Sequence, residues 1–144
     1  MLDFLLNITR RLPKPVDRKT HAALDYLTIS AFMLMGAYFW DHNKRAAATA
    51  LTNGFMVLGV SMFTDYPGSA ARLISFKTHG KLDLVQAATA ATMPALLGFG
   101  DDAAALPFRI QAVNELAVVG ITDWDSDEGA TLVSESRGRY DRVA

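Results

Sequence analysis

Two of the chain's three histidines stand in nearly the same words. The run KTHAALDY (19–26) returns as KTHGKLDL (77–84), and FTDY (63–66) returns as ITDW (121–124), at one shared offset and with no gap. Each copy carries a His, an Asp four residues on, and a later Asp that follows a Thr: His21, Asp25 and Asp65 in the first, His79, Asp83 and Asp123 in the second. In a helix, a spacing of four puts His and Asp on one face. One imidazole with two carboxylates is a mixed nitrogen and oxygen donor set of the kind that binds a divalent metal such as zinc, manganese or iron. If the two sets meet, all six side chains surround one site. A His on a membrane helix can also ligate a haem or a chlorophyll. The plainer chemistry, and the one the residues alone favour, is a structural clip. Thr20 or Thr78 caps a helix start, and the returning Asp accepts from the His ring or from the neighbouring helix start. Asp beside a helix C-terminus opposes the helix dipole. Asp65 therefore calls for His21 or Lys19 as partner, and Asp123 for His79 or Lys77.

The elements that position these groups are apolar. Of 144 residues, 51% are hydrophobic and 20% charged, and the charge is unevenly spread. Four stretches, roughly 22–40, 46–63, 82–99 and 103–122, are poor in ionisable side chains. Each is about 18–20 residues, or about 27–30 Å as a helix, the thickness of a bilayer's hydrocarbon core. A bundle in water backs its apolar stripe with Lys and Glu, and the segment ALTNGFMVLGVSMF (50–63) has no such face. The fourth stretch is the least apolar of the set. Its Arg109 is expected to snorkel from a helix end, and its Glu115 to face the bundle interior.

The repeat then defines the organisation: an amphipathic interfacial segment (1–18), a first two-helix unit (19–66), a second (77–124) and a polar tail (125–144). Two crossings per unit keep both copies in one orientation, related by a pseudo-twofold axis along the membrane normal. All six site residues then lie near one membrane face. Basic residues cluster before the first helix (Arg10, Arg11, Lys14, Arg18, Lys19) and between the second and third (Arg72, Lys77, Lys81). The positive-inside rule places both termini in the cytoplasm, with the protein in the cell's inner membrane. The opening MLDFLLNITRRLPKP has its basic residues after the apolar run, unlike a cleavable signal. Tyr38, Phe39, Trp40, Tyr66 and Trp124 fall at helix ends, where an interfacial aromatic belt is expected.

The composition also excludes. With no Cys there is no disulfide, thiolate nucleophile or iron–sulfur cluster. A net charge of -1 gives no case for nucleic-acid binding. No phosphate-cradling Gly loop, Gly-x-Ser-x-Gly or HExxH is present.

His-x-x-Leu-Asp opening an apolar helix, followed by MPALLGF (93–99), resembles the SPW-repeat family and related small bacterial membrane proteins. These are built from two-helix repeats with Ser-Pro-Trp near the end of the first helix. Met93-Pro94-Ala95 and Met35-Gly36-Ala37 stand at that place here. The resemblance covers roughly 19–125 and implies architecture: an all-α bundle of four transmembrane helices from two tandem hairpins. It implies little about mechanism. The function expected is that of a small non-enzymatic accessory or scaffold subunit in the bilayer, packed against other membrane chains or its own copies. Two alternatives stand beside it. One is a metal- or cofactor-binding membrane protein using the paired His/Asp groups. The other is an ion or proton conductor with Glu115, Asn114, Gln111 and Asn53 as a relay.

Overall fold

The computed structural model describes residues 13–126. Most of the interfacial segment expected at 1–18, and the tail expected at 125–144 beyond residue 126, lie outside the described residues. Within them the chain is all-α: α1 (Arg18–Phe39), α2 (Lys44–Phe63), α3 (Phe76–Leu96) and α4 (Leu106–Ile121), the last preceded by a 3-10 turn at Ala103–Ala105.

Three helical stretches are long and apolar enough to cross a membrane: Arg18–Phe39, Lys44–Phe63 and Ala103–Ile121. The fourth stretch of the sequence thus qualifies despite Arg109 and Glu115. The third does not. α3 begins at Phe76, well before the apolar run at 82, so its first two turns take in Lys77, His79, Lys81 and Asp83. Outward faces are apolar throughout the bundle, with Leu34 71%, Phe55 61% and Val113 68% exposed. Water would tolerate such contiguous apolar surface poorly.

The helix starts are capped by side chains one residue class away from those expected. Asp17 accepts the Thr20 N–H at 2.7 Å, and Ser75 accepts the Thr78 N–H at 3.1 Å. Thr20 and Thr78 are therefore the capped residues, not the caps. The amide of Thr20 holds the exposed Asp17 carboxyl below its ordinary value.

α1 packs on α2, α3 on α4, and α2 on α3, which leaves the seam between α1 and α4 loosely filled. α2 approaches its neighbours through small residues: Ala46, Ala47 and Ala50 are fully covered. A Cβ at Gly54 would stand 2.9 Å from Met33 Cε and 3.1 Å from Phe32 Cβ, so the close crossing of α1 and α2 requires glycine there. One end of the bundle is closed by Phe39, Phe99 and Phe108 with Phe32 beneath them; Phe99 and Phe108 meet edge to face at 5.9 Å. At the opposite end, two short parallel pairings hold each incoming segment against an outgoing helix: Val16 with Thr122, and Thr64 with Ile74. Asp65 N–H donates to Ile74 O at 2.8 Å, and Asp123 N–H to Val16 O at 2.7 Å. These pairings set the starts of α1 and α3 beside the ends of α4 and α2, where the polar residues gather.

Candidate metal centre

His21 opens α1 and His79 opens α3, and both rings are 1% exposed. Each is fixed by a threonine at the end of a helix from the other hairpin. Thr122 Oγ1 donates to Val118 O at 2.7 Å and lies 3.0 Å from His21 Nδ1. Thr64 Oγ1 donates to Val60 O at 2.7 Å and lies 2.8 Å from His79 Nδ1. A hydroxyl whose proton is committed to a carbonyl can only accept from the imidazole. Both rings therefore carry a proton on Nδ1 and turn Nε2 inward. This is the way protein environments orient histidine for metal binding.

Those two nitrogens meet. His21 Nε2 and His79 Nε2 are 3.2 Å apart, with the rings nearly perpendicular at 85°. Two carboxylates flank them. Asp83 places Oδ2 3.2 Å from His21 Nε2 and Oδ1 3.1 Å from His79 Nε2. Asp25 places Oδ2 3.0 Å from His79 Nε2 and Oδ1 3.5 Å from His21 Nε2. Donor atoms of His21, His79 and Asp83 all lie within 4.8 Å of one another. A tetrahedral ion with bonds of about 2.0–2.1 Å sets its ligands about 3.3 Å apart. The Nε2–Nε2 separation, and the distance from each Nε2 to its nearest carboxylate oxygen, are close to that edge length.

The surroundings differ for the two carboxylates. Asp25 Oδ2 accepts from the Tyr66 hydroxyl at 2.7 Å and from Ser61 Oγ at 3.3 Å. Asp83 Oδ2 is buried without a hydrogen-bond partner. Tyr66 is 2% exposed. Burial, and then the Asp25 charge it faces, push its phenol well above the ordinary value, which keeps it a proton donor. Aromatic rings close the rest of the shell. Phe76 and Trp124 stand 5.4 and 4.9 Å from the His21 ring, and Tyr66 stands 5.3 Å from the His79 ring.

Of the six residues singled out in the sequence, four come together: His21, Asp25, His79 and Asp83. Asp65 and Asp123 do not join them. Asp65 faces Arg18 at 3.5 Å and Arg72 at 3.3 Å, and Asp123 Oδ1 accepts from the Asp125 amide. Each of these Asp residues sits one position past the helix-ending Thr. It is that Thr which turns inward and the Asp which turns out. The expected within-hairpin clip is thus replaced by bonds between hairpins, His21 to Thr122 and His79 to Thr64.

Sequence reasoning missed four contributors: Thr64, Thr122, Tyr66 and Ser61. The threonines were in plain sight, since FTDY and ITDW share Thr as well as Asp, but the carboxylate drew the attention. Tyr66 and Trp124 were assigned to an interfacial belt and instead wall the centre. Tyr38 and Trp40, 66% and 52% exposed, fit the belt. Glu115 does face inward, as expected for an ionisable residue on a membrane helix. Asn53 is separate from it, buried in a pairing with Gln86 at 2.6 Å.

No protein-family model, curated protein or solved structure matches the chain.

Proposed function

We propose that this chain is a non-enzymatic membrane protein whose first and third helices, and with them its two hairpins, are tied together by a divalent metal ion. Zinc is the ion best suited to the donors, held by Nε2 of His21 and His79 and the carboxylates of Asp25 and Asp83. The supporting observation is the convergence of the two Nε2 atoms at 3.2 Å beside two carboxylates, with both Nδ1 protons already spent on threonines. Two Nε2 atoms at that range, each with carboxylate oxygens at 3.0–3.5 Å, call for positive charge between them, as an Nε2 proton or as a cation. A cation at the centre turns all four groups into ligands. A set of four protein ligands suits a closed, structural ion rather than an open catalytic one.

In this reading α3 is the fourth membrane crossing. Its charged first turns sit at the head groups, and the metal compensates the polar side chains carried inward. The two hairpins derive from a duplication, and their termini lie on the cytoplasmic side of a bacterial inner membrane, as the basic flanks suggest. The accessory role belongs to the same picture: a small subunit, set rigid by its ion, presents apolar helix faces to lipid and to neighbouring chains. Ion conduction finds less support, because Asn53 is locked to Gln86 away from Glu115.

Elemental analysis of detergent-purified protein tests the reading. Stoichiometric zinc, or another first-row divalent ion, is expected in the wild type and absent in the His21→Ala, His79→Ala double variant. A metal-free wild type whose melting is untouched by chelator and by added zinc would overturn it.

A further inference from the structure

The centre is walled by rings and threonines on most sides, but one flank is open. Between α1 and α4 lies a cavity of about 250 Å³ whose floor includes His21, Asp25 and Asp83. It runs up α1 as far as Ala31, about 15 Å from His21 along the helix axis. Its upper walls are mainly leucine, valine and alanine. Gln111, Asn114, Glu115 and Thr28 interrupt them. Glu115 Oε2 is buried with no hydrogen-bond partner. The bond from Gln111 Nε2 to Thr28 Oγ1, at 3.3 Å, spans the seam.

A buried carboxyl oxygen without a partner is costly, and more so in a bilayer. Leu27, on the cleft's wall near the middle of α1, is 66% exposed, so the cleft reaches the outer surface of the bundle there. In a membrane that opening faces hydrocarbon, so water and hydrated ions do not arrive by it, while lipid-soluble molecules do. We propose that the α1–α4 cleft binds a membrane-borne amphiphile through a hydroxyl group, with Glu115 as its hydrogen-bond partner and the apolar walls around its hydrocarbon part. A hydroxyl fits because it both donates and accepts, so it satisfies a carboxyl in either protonation state. The proposed hydrogen bond needs the membrane setting but not the metal: it is made at Glu115, above the floor that His21, Asp25 and Asp83 form.

Two hydroxyl probes, para-hexylphenol and nonanol, are each compared with their methyl ethers, which keep the shape and lose the O–H. Binding is followed by calorimetry to the full chain in one detergent, so that micelle partition is common to wild type and variant. The wild type is expected to prefer at least one hydroxyl probe over its ether by about tenfold, the strength of one hydrogen bond to a charged group. Preference for the phenol identifies an aromatic head group, and preference for nonanol a plain alcohol. The Glu115→Leu variant is expected to bind both members of each pair alike. Equal binding of hydroxyl and ether probes by the wild type, or a preference that survives in Glu115→Leu, would overturn the proposal. If Glu115→Leu is not recovered folded, Glu115→Gln with Ala31→Phe, which blocks the cleft, gives the same comparison. Metal content measured on the same samples separates this result from the fate of the metal centre.

Discussion

The two hairpins contribute equally to the centre in their histidines and unequally in everything behind their carboxylates. Fifty-eight residues separate His21 from His79, and the same step carries Thr64 to Thr122 and Asp25 to Asp83. It also carries Tyr66 to Trp124, Ser61 to Val119 and Val57 to Glu115. The first hairpin therefore gives its Asp two hydroxyl donors, Tyr66 and Ser61. The second replaces both with groups that donate nothing to Asp83, and adds a lone carboxyl on the wall of the cleft. Asp25 is thus held by protein hydroxyls as well as by the imidazoles, whereas Asp83 faces the two imidazoles alone. In the proposed centre the two carboxylates would therefore bind an ion unequally.

The sharpest way to break this comparison is to remove the carboxylates one at a time. Asp83→Asn is expected to abolish stoichiometric zinc, whereas Asp25→Asn retains it with affinity reduced by about a hundredfold, measured by competition with a chromophoric chelator. Equal losses would mean that the hydroxyls behind Asp25 do not matter. Next come the threonines. Thr64→Val and Thr122→Val each free one imidazole to change tautomer, and each is expected to weaken zinc by about 10–100-fold, the usual cost of losing an outer-shell partner. Because the two are equivalent, their effects should be alike; a large disparity would show that one His dominates.

A smaller effect is expected for Tyr66→Phe, about tenfold at most in zinc affinity, because Ser61 still donates to Asp25. The phenol also has a pH signature. Its value is raised on folding, so its contribution to stability is complete below about pH 10, where a free tyrosine ionises. It is lost only at higher pH, when the buried phenol itself is forced to ionise. Ultraviolet titration should therefore show one tyrosine fewer ionising near pH 10 in the wild type than in the unfolded chain, and Tyr66→Phe should remove the missing one. The smallest effect belongs to Asp17. Its carboxyl is lowered on folding, so its cap is present above the ordinary carboxylate range and fades as pH falls through its folded value. Asp17→Ala should cost a small, measurable part of the melting temperature near neutral pH and nothing in strong acid.

The helical class was legible from the apolar runs, and the four-residue step with the shared offset put His21, Asp25, His79 and Asp83 at one end of the bundle; spacing alone leaves open whether the two pairs meet. What was not legible is which neighbour turns inward at a helix terminus. Thr64 and Asp65 are adjacent, and only the last turn's hydrogen bond to Val60 O decides that the hydroxyl faces the core and the carboxylate faces Arg18 and Arg72. Hairpin partners were misread for a related reason. Local sequence suggests bonds within a hairpin, whereas the pairings of Val16 with Thr122 and of Thr64 with Ile74 exchange the ends. The start of α3 lies close to the place the repeat suggests, with Ser75 as its cap three residues before Thr78.

Trp124 lies against the His21 ring at one end of the bundle, while the chain's other tryptophan, Trp40, projects at the opposite end beside Lys44. The molecule therefore carries its own pair of optical beacons. Light emitted by the indole near the imidazoles is exposed to quenching by a copper or cobalt guest. The distant indole, shielded by the length of the helices, serves as the internal reference against which that dimming is read.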